Sequence, residues 1–218
     1  QLTKHVTNTV PTYDKFSYLP MAIGYHLAKL IGLPFSICFI IGKIFNLLSF
    51  TLLIGYAIKT IKIGKRLLLV IALFPTNIFL ASQYSYDPAV FSGITVFIAH
   101  LVNLFIDHKS KFDFKTIIIM LLSLSYACFT KAIYAPLLLL TLFIPQTKFK
   151  DKKQSLQIKT GLFAITLLLL STFILPALSG EMNSDLRGGN TSVGGQLSLV
   201  LSHPFDYSKI LADTAVGL

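Results

Sequence analysis

Hydrophobic positions dominate the chain in long runs broken by short polar stretches. Residues 66–82 and 88–107 are two such runs, flanking a tight polar turn over residues 83–88. Lys62, Lys65 and Arg66 precede the first run, and Lys109 and Lys111 follow the second. Each run approaches the roughly 20 apolar residues that cross a bilayer as a helix. Short cytoplasmic loops collect Lys and Arg, so the outer ends of this hairpin are expected in the cytoplasm and its turn, with Ser85, Tyr86 and Asp87, on the far side.

The remaining runs follow from that anchor. Residues 1–19 are mostly polar and read as a loop. Pro20, suited to a first helical turn, opens a short stretch over residues 20–33 that carries His26 and Lys29 among apolar neighbours and reads as an interfacial helix on the outer face. Pro34 starts a span that ends in the basic cluster at residues 59–66, and therefore runs inward. Residues 116–130 and 132–145 lie between two basic loops. An even number of crossings must separate loops on one side, which predicts a helix pair turning near Lys131. Each arm has about 14 residues, short of the usual 17 to 25, so the turn is expected below the outer surface, in protein or a water-filled recess. Residues 161–178 form the last span. The polar region after it contains two Gly pairs and two short helical stretches around Pro204.

The expected fold is therefore all-α: a polytopic transmembrane bundle of about six spans. Residues 1–33 form an outer loop and interfacial helix, residues 34–178 the bundle, and residues 179–218 an extracytoplasmic loop with short helices. Gln1 in place of an initiator Met, and the late first run, suggest a piece of a longer protein; a cleaved leader is the competing account.

Composition sharpens this reading. The 218 residues are 54% hydrophobic and 13% charged, against about 25% charged in soluble domains, with a mean hydropathy of +0.71. The net charge of +10 would suit nucleic acid, but the basic residues sit in loops between apolar runs, the signature of membrane topology. Nucleic acid is not an expected partner. Cys38 and Cys128 fall within apolar runs without metal-like spacing and read as packing residues. No cofactor motif is present. A divalent metal stays open, with no ligand set to assign.

Polar residues inside apolar runs are the candidates for chemistry. Lys43 and Asn46 share one helix face at i, i+3, with Lys43 about 13 Å into its span. An intramembrane lysine is costly unless paired or solvated. It is either a snorkelling or structurally paired residue, or a cation meeting an anionic group in an outward cavity. Lys131 in its buried turn poses the same choice. Asp87 reads either as the N-cap of a helix starting at Pro88 or as an ionised carboxylate at an outer helix start, helped by the helix dipole. Asp107 ends its span as a solvated residue, His100 reads as hydrogen-bonded packing, and Pro75 predicts a kink. Arg187 and Asp185 lie in the outer loop.

The motifs YLP (residues 18–20), Lys43 with Asn46, LFP (73–75), SYD (85–87), KAIYAP (131–136) and QLSLVLSHP (196–204) fall in the order found in a bacterial family of predicted polytopic membrane proteins of unknown function. The chain resembles that family over nearly its whole length, and its members resemble the C-type membrane glycosyltransferases, GT-C. In such proteins position 43 is more often arginine; lysine keeps the charge but not the bidentate fork.

The resemblance implies an enzyme of the bacterial cytoplasmic membrane. It would move a sugar from a polyprenyl-phosphate carrier to a glycan or lipid acceptor of the cell envelope, among membrane lipids. A carboxylate in the first outer loop is then the general base, with Asp14 and Asp87 as candidates. Lys43, Asn46, Tyr86, Lys131, Tyr134 and Arg187 would bind the lipid phosphate or substrate. The alternative is a non-enzymatic transporter or flippase subunit, or an assembly scaffold, for lipid-linked glycans.

Overall fold

The computed structural model describes residues 16–107, 110–178 and 193–216, and these contain helices and turns but no strand. Among the described residues nine α-helices follow in order: α1 (Leu19–Leu30), α2 (Phe35–Thr60), α3 (Lys65–Ala72), α4 (Pro75–Ala81), α5 (Asp87–Ile106), α6 (Phe114–Cys128), α7 (Lys152–Leu178), α8 (Val193–Ser202) and α9 (Pro204–Val216). A 12-residue 3₁₀ helix, Ala132–Phe143, lies between α6 and α7. The chain divides into two compact units, Gln1–Leu169 and Leu170–Leu218. In the second, α8 packs against α9.

Among the described residues, three helical stretches are long and apolar enough to cross a membrane: Phe35–Thr60, Asp87–Ile106 and Lys152–Ser171. The other arms of the expected six are shorter or broken. Residues 66–82 do not make one kinked helix. Proline has no N–H, and its ring drives the preceding residue out of the α region. Phe74 accordingly adopts φ −56°, ψ 134°, so the run splits into α3 and α4. A break of this kind frees carbonyls that lipid cannot satisfy. Asn77 answers one of them, its Nδ2 donating to Ile71 O over 2.7 Å.

Helix α5 is the centre of the first unit. Over half of its apolar window is buried, 56%, against 28% for α2 and 17% for α7. It packs on α2, α4 and α6, while α1 lies along α2. Small residues set these approaches. A side chain at Gly93 would strike Ser123 O and come within 3.2 Å of Ala127 Cβ, so only a glycine lets α5 and α6 close this far. The left-handed Gly64 (φ 82°) reverses the chain between α2 and α3, a backbone position other residues rarely adopt.

The 3₁₀ helix buries Ala135, Leu138, Thr141 and, one residue past its end, Ile144. Their spacing of three is the period of that helix, in which side chains at i and i+3 eclipse. Wound as an α-helix, at 100° per residue, Ile144 would face away from Ala135.

Polar groups close the basic end of the unit. Asn103 Nδ2 donates to Thr60 O (2.8 Å) and its Oδ1 accepts from the Lys62 N–H (2.9 Å). Lys62 forms an ion pair with Asp107, and Lys148 Nζ donates to Asp107 O over 2.6 Å. Asp107 is therefore a structural partner rather than only a solvated helix end. His100 is hydrogen-bonded as expected, with Nε2 3.0 Å from Tyr56 Oη. Asp113 caps α6, its Oδ1 accepting from the Thr116 N–H at 3.1 Å.

Candidate functional site

The turn over residues 83–86 connects α4 to α5 and is held from α2. Asn46, 2% exposed, donates from Nδ2 to Gln83 O (2.9 Å) and Ser85 O (3.3 Å). One helical turn away, Lys43 Nζ donates to Gln83 Oε1 over 3.0 Å and lies 5.4 Å from the centroid of the Phe39 ring. The i, i+3 spacing legible in the sequence thus grips one loop at two points. Tyr84, between them, stacks on Phe39 at 4.3 Å, and its hydroxyl reaches the α2 backbone at Gly42, where any side chain would collide with it. That hydroxyl is buried with no hydrogen-bond partner among the described residues.

Held this way, the turn delivers Asp87 to the first turn of α5. Asp87 is not the N-cap; Tyr86 occupies that position, and the Ser85 hydroxyl accepts from the Asp87 N–H over 3.2 Å. The Asp87 carboxylate is engaged elsewhere. Oδ2 accepts from Ser85 Oγ at 3.0 Å, and Oδ1 accepts from Lys131 Nζ at 3.0 Å. The lysine and aspartate side chains are 36% and 38% exposed, so the pair stays within reach of solvent or ligand. Lys131 also lies 5.0 Å from the Tyr86 ring centroid, a cation–π geometry, and Tyr86 meets Tyr18 edge-on at 6.1 Å. The segment before α1 is tied down beside them: Ser17 hydrogen-bonds to Thr130 and Phe16 stacks on Phe129.

Asp87, Lys131 and Tyr134 stand in the wall of a cavity of about 480 Å³. The rest of its lining is largely aliphatic and aromatic, drawn from α2, α3, α4 and α5, with Asn77 and Thr95 as its other polar residues. Along α5 it reaches from Asp87 to Ala99, about 18 Å at 1.5 Å per residue. It is an apolar trough with an ion pair among its lining residues.

The expected site residues therefore separate. Asp87, Tyr86, Lys131 and Tyr134 come together. Lys43 and Asn46 hold the turn that places them and do not line the trough. Asp14 and Arg187 lie outside the described residues. Gln83 carries no signal of its own in the sequence, and Ser85 stands there only as part of the SYD turn with no role: nothing in an isolated glutamine or serine marks a partner 40 residues upstream or a carboxylate two residues on. No group of three or more metal-ligating side chains occurs among the described residues.

Apolar helices long enough to cross a bilayer, with polar groups gathered at one turn, define an integral membrane protein. The chain belongs to the family described as predicted membrane protein (DUF2142), whose sequence pattern covers residues 1–218. No curated protein and no solved structure matches it.

Proposed function

We propose that the protein is an outward-facing glycosyltransferase of GT-C layout. In this reading it crosses the bacterial cytoplasmic membrane six times and takes sugar from a polyprenyl-phosphate carrier. One observation carries the reading: the Asp87–Lys131 pair lines an apolar trough about 18 Å long. That combination suits an amphiphile with an anionic head and a hydrocarbon tail. The trough takes the near part of the polyprenyl chain, and Lys131 stands where a phosphate leaving group needs a cation.

Asp87 is the general base. Such a group must be ionised and within hydrogen-bond reach of the acceptor hydroxyl. One of its oxygens accepts from Lys131. A phosphate arriving at Lys131 exchanges one anionic partner for another and leaves the carboxylate free to take the hydroxyl proton. Proton uptake and departure of the phosphate thus fall on two adjacent residues. The trough interior is too apolar to pass a glycan, which favours transfer over transport.

The test is transfer by the purified protein in lipid nanodiscs supplied with polyprenyl-phosphate-linked sugar. Asp87→Asn is expected to lower the rate by about 100-fold or more, and Lys131→Ala to weaken carrier binding. Transfer that survives both substitutions unchanged overturns the assignment.

A further inference from the structure

The far end of α5 from the 83–86 turn gathers cations. Helices α2 and α5 finish there, at Thr60 and Ile106, and α3, α6 and α7 begin there. Contacts around Asp107 and Phe112 hold these ends together. Lys62 and Lys148 both meet Asp107. The Phe112 N–H donates to Lys148 O over 2.9 Å, and the Phe112 ring meets Phe149 edge-on at 5.5 Å. Lys65 and Arg66 open α3, Lys111 and Lys115 flank the start of α6, and Lys150, Lys152 and Lys153 lead into α7; all are exposed. The acidic residues of these segments are Asp107, Asp113 and Asp151, and each is engaged. Asp107 pairs with Lys62, Asp113 Oδ1 accepts from the Thr116 N–H, and Asp151 Oδ1 accepts from the Gln154 N–H over 2.6 Å. Local structure does not call for cations here. Lys65, Lys115 and Lys152 stand in first helical turns, where the dipole favours acids, and none of those turns holds one.

We propose that this end is a docking surface for the headgroups of anionic phospholipids. The depth of the cations selects that partner. Two stretches long enough to cross a bilayer end here, at Thr60 and Ile106, and a third begins at Lys152. The charges therefore stand where apolar helix gives way to the headgroup layer. Lysines and arginines at that level gain about fivefold each in attraction to an anionic membrane surface. Lysine suits a phosphodiester met from varied directions, because its ammonium is a compact charge with rotatable donors rather than a planar fork. The same depth disfavours nucleic acid, which would have to displace the headgroups to reach these side chains. The surface is independent of the transferase reading and stands if that reading fails.

Native mass spectrometry of the protein released from a neutral detergent tests this. Phosphatidylglycerol and phosphatidylcholine with the same acyl chains are supplied in equal amounts, so only the headgroup differs. The wild type is expected to retain phosphatidylglycerol over phosphatidylcholine by about tenfold or more. The triple variant Lys150→Gln, Lys152→Gln and Lys153→Gln should lose most of that preference, and Lys111→Gln with Lys115→Gln part of it. The three side chains of the first variant are exposed, so the fold survives their replacement. Arginine at the same three positions should keep the preference, and Lys29→Gln, at the end of α1, should leave it unchanged. Detergent abolishes the two sides of the membrane, so charges that only set the direction of insertion would give equal retention of both lipids. Equal retention therefore overturns the proposal. So does a preference that survives the triple glutamine variant, or one lost equally with arginine. Equal retention together with tight binding of a DNA oligomer would give this face to nucleic acid instead.

Discussion

Lys131 Nζ lies 3.0 Å from Asp87 Oδ1, joining residues 44 positions apart across the turn after α6 and the start of α5. Both side chains are more than a third exposed, and pairs of that kind contribute about 0.2 to 1 kcal/mol. Stability and function should therefore come apart at this pair. The exchange Asp87→Lys with Lys131→Asp is expected to restore a folded protein of near-native thermal stability with no transfer activity. A loss of stability well above 1 kcal/mol in either single variant, read by thermal unfolding in detergent, would make the pair structural.

The contact between Tyr84 and Gly42 gives a sharper energetic test. A methyl group at position 42 meets the Tyr84 hydroxyl directly, and forcing atoms into a packed site costs about 1 to 3 kcal/mol. Tyr84→Phe removes a hydroxyl that has no partner among the described residues, so it should be neutral or stabilising. The double variant should recover most of what Gly42→Ala loses. Additive losses in a double-mutant cycle would place the clash elsewhere.

Asn103 joins α5 to the end of α2 through both its amide groups. Asn103→Ala leaves Thr60 O and the Lys62 N–H without that partner, a loss of about 1 to 3 kcal/mol. Faster amide exchange at residues 60–62 is the accompanying local signature. Exchange unchanged there would mean that other groups satisfy them.

Asp113 supplies a pH dependence. The Thr116 side chain, above all, and the Thr116 N–H hold its carboxyl below the ordinary value of 3.8. A depressed carboxyl stabilises the fold fully above its unfolded value, and that contribution disappears as pH falls through the lower folded value. Stability of the wild type should thus drop below about pH 4 by more than that of Asp113→Asn, which still caps the helix but does not titrate. Asp113→Ala should lose about 0.5 to 2 kcal/mol at neutral pH. Parallel acid profiles for wild type and Asp113→Asn would exclude this role.

Much of the fold was legible because prolines and basic residues are strong local signals. Pro20 and Pro34 mark the starts of α1 and α2, and the all-helical character follows from the apolar runs. Lys131 stood out because a charge in an apolar run needs a partner. That the partner is Asp87 was not legible, since an aspartate before a proline at a helix start fits an N-cap equally well. For Lys43 the sequence leaves structural pairing and anion binding open; the structure pairs it with Gln83, an amide that carries no charge to announce itself. The break at Phe74 was underestimated: a proline can kink a helix or divide it, and the choice depends on whether a group such as Asn77 is placed to satisfy the freed carbonyl. The 3₁₀ winding was hidden because residues 135–140 and 142–144 are almost uniformly apolar, so a buried stripe of period three cannot be told from one of period 3.6.

That winding also has a mechanical side. Twelve residues at about 2.0 Å each extend some 24 Å, close to the roughly 22 Å of the 15-residue α6 beside them. Rewound at about 1.5 Å per residue, the same segment would shorten by some 6 Å, more than the Lys131–Asp87 contact can absorb. The ion pair with Asp87 therefore depends on the 3₁₀ winding of the segment that follows Lys131.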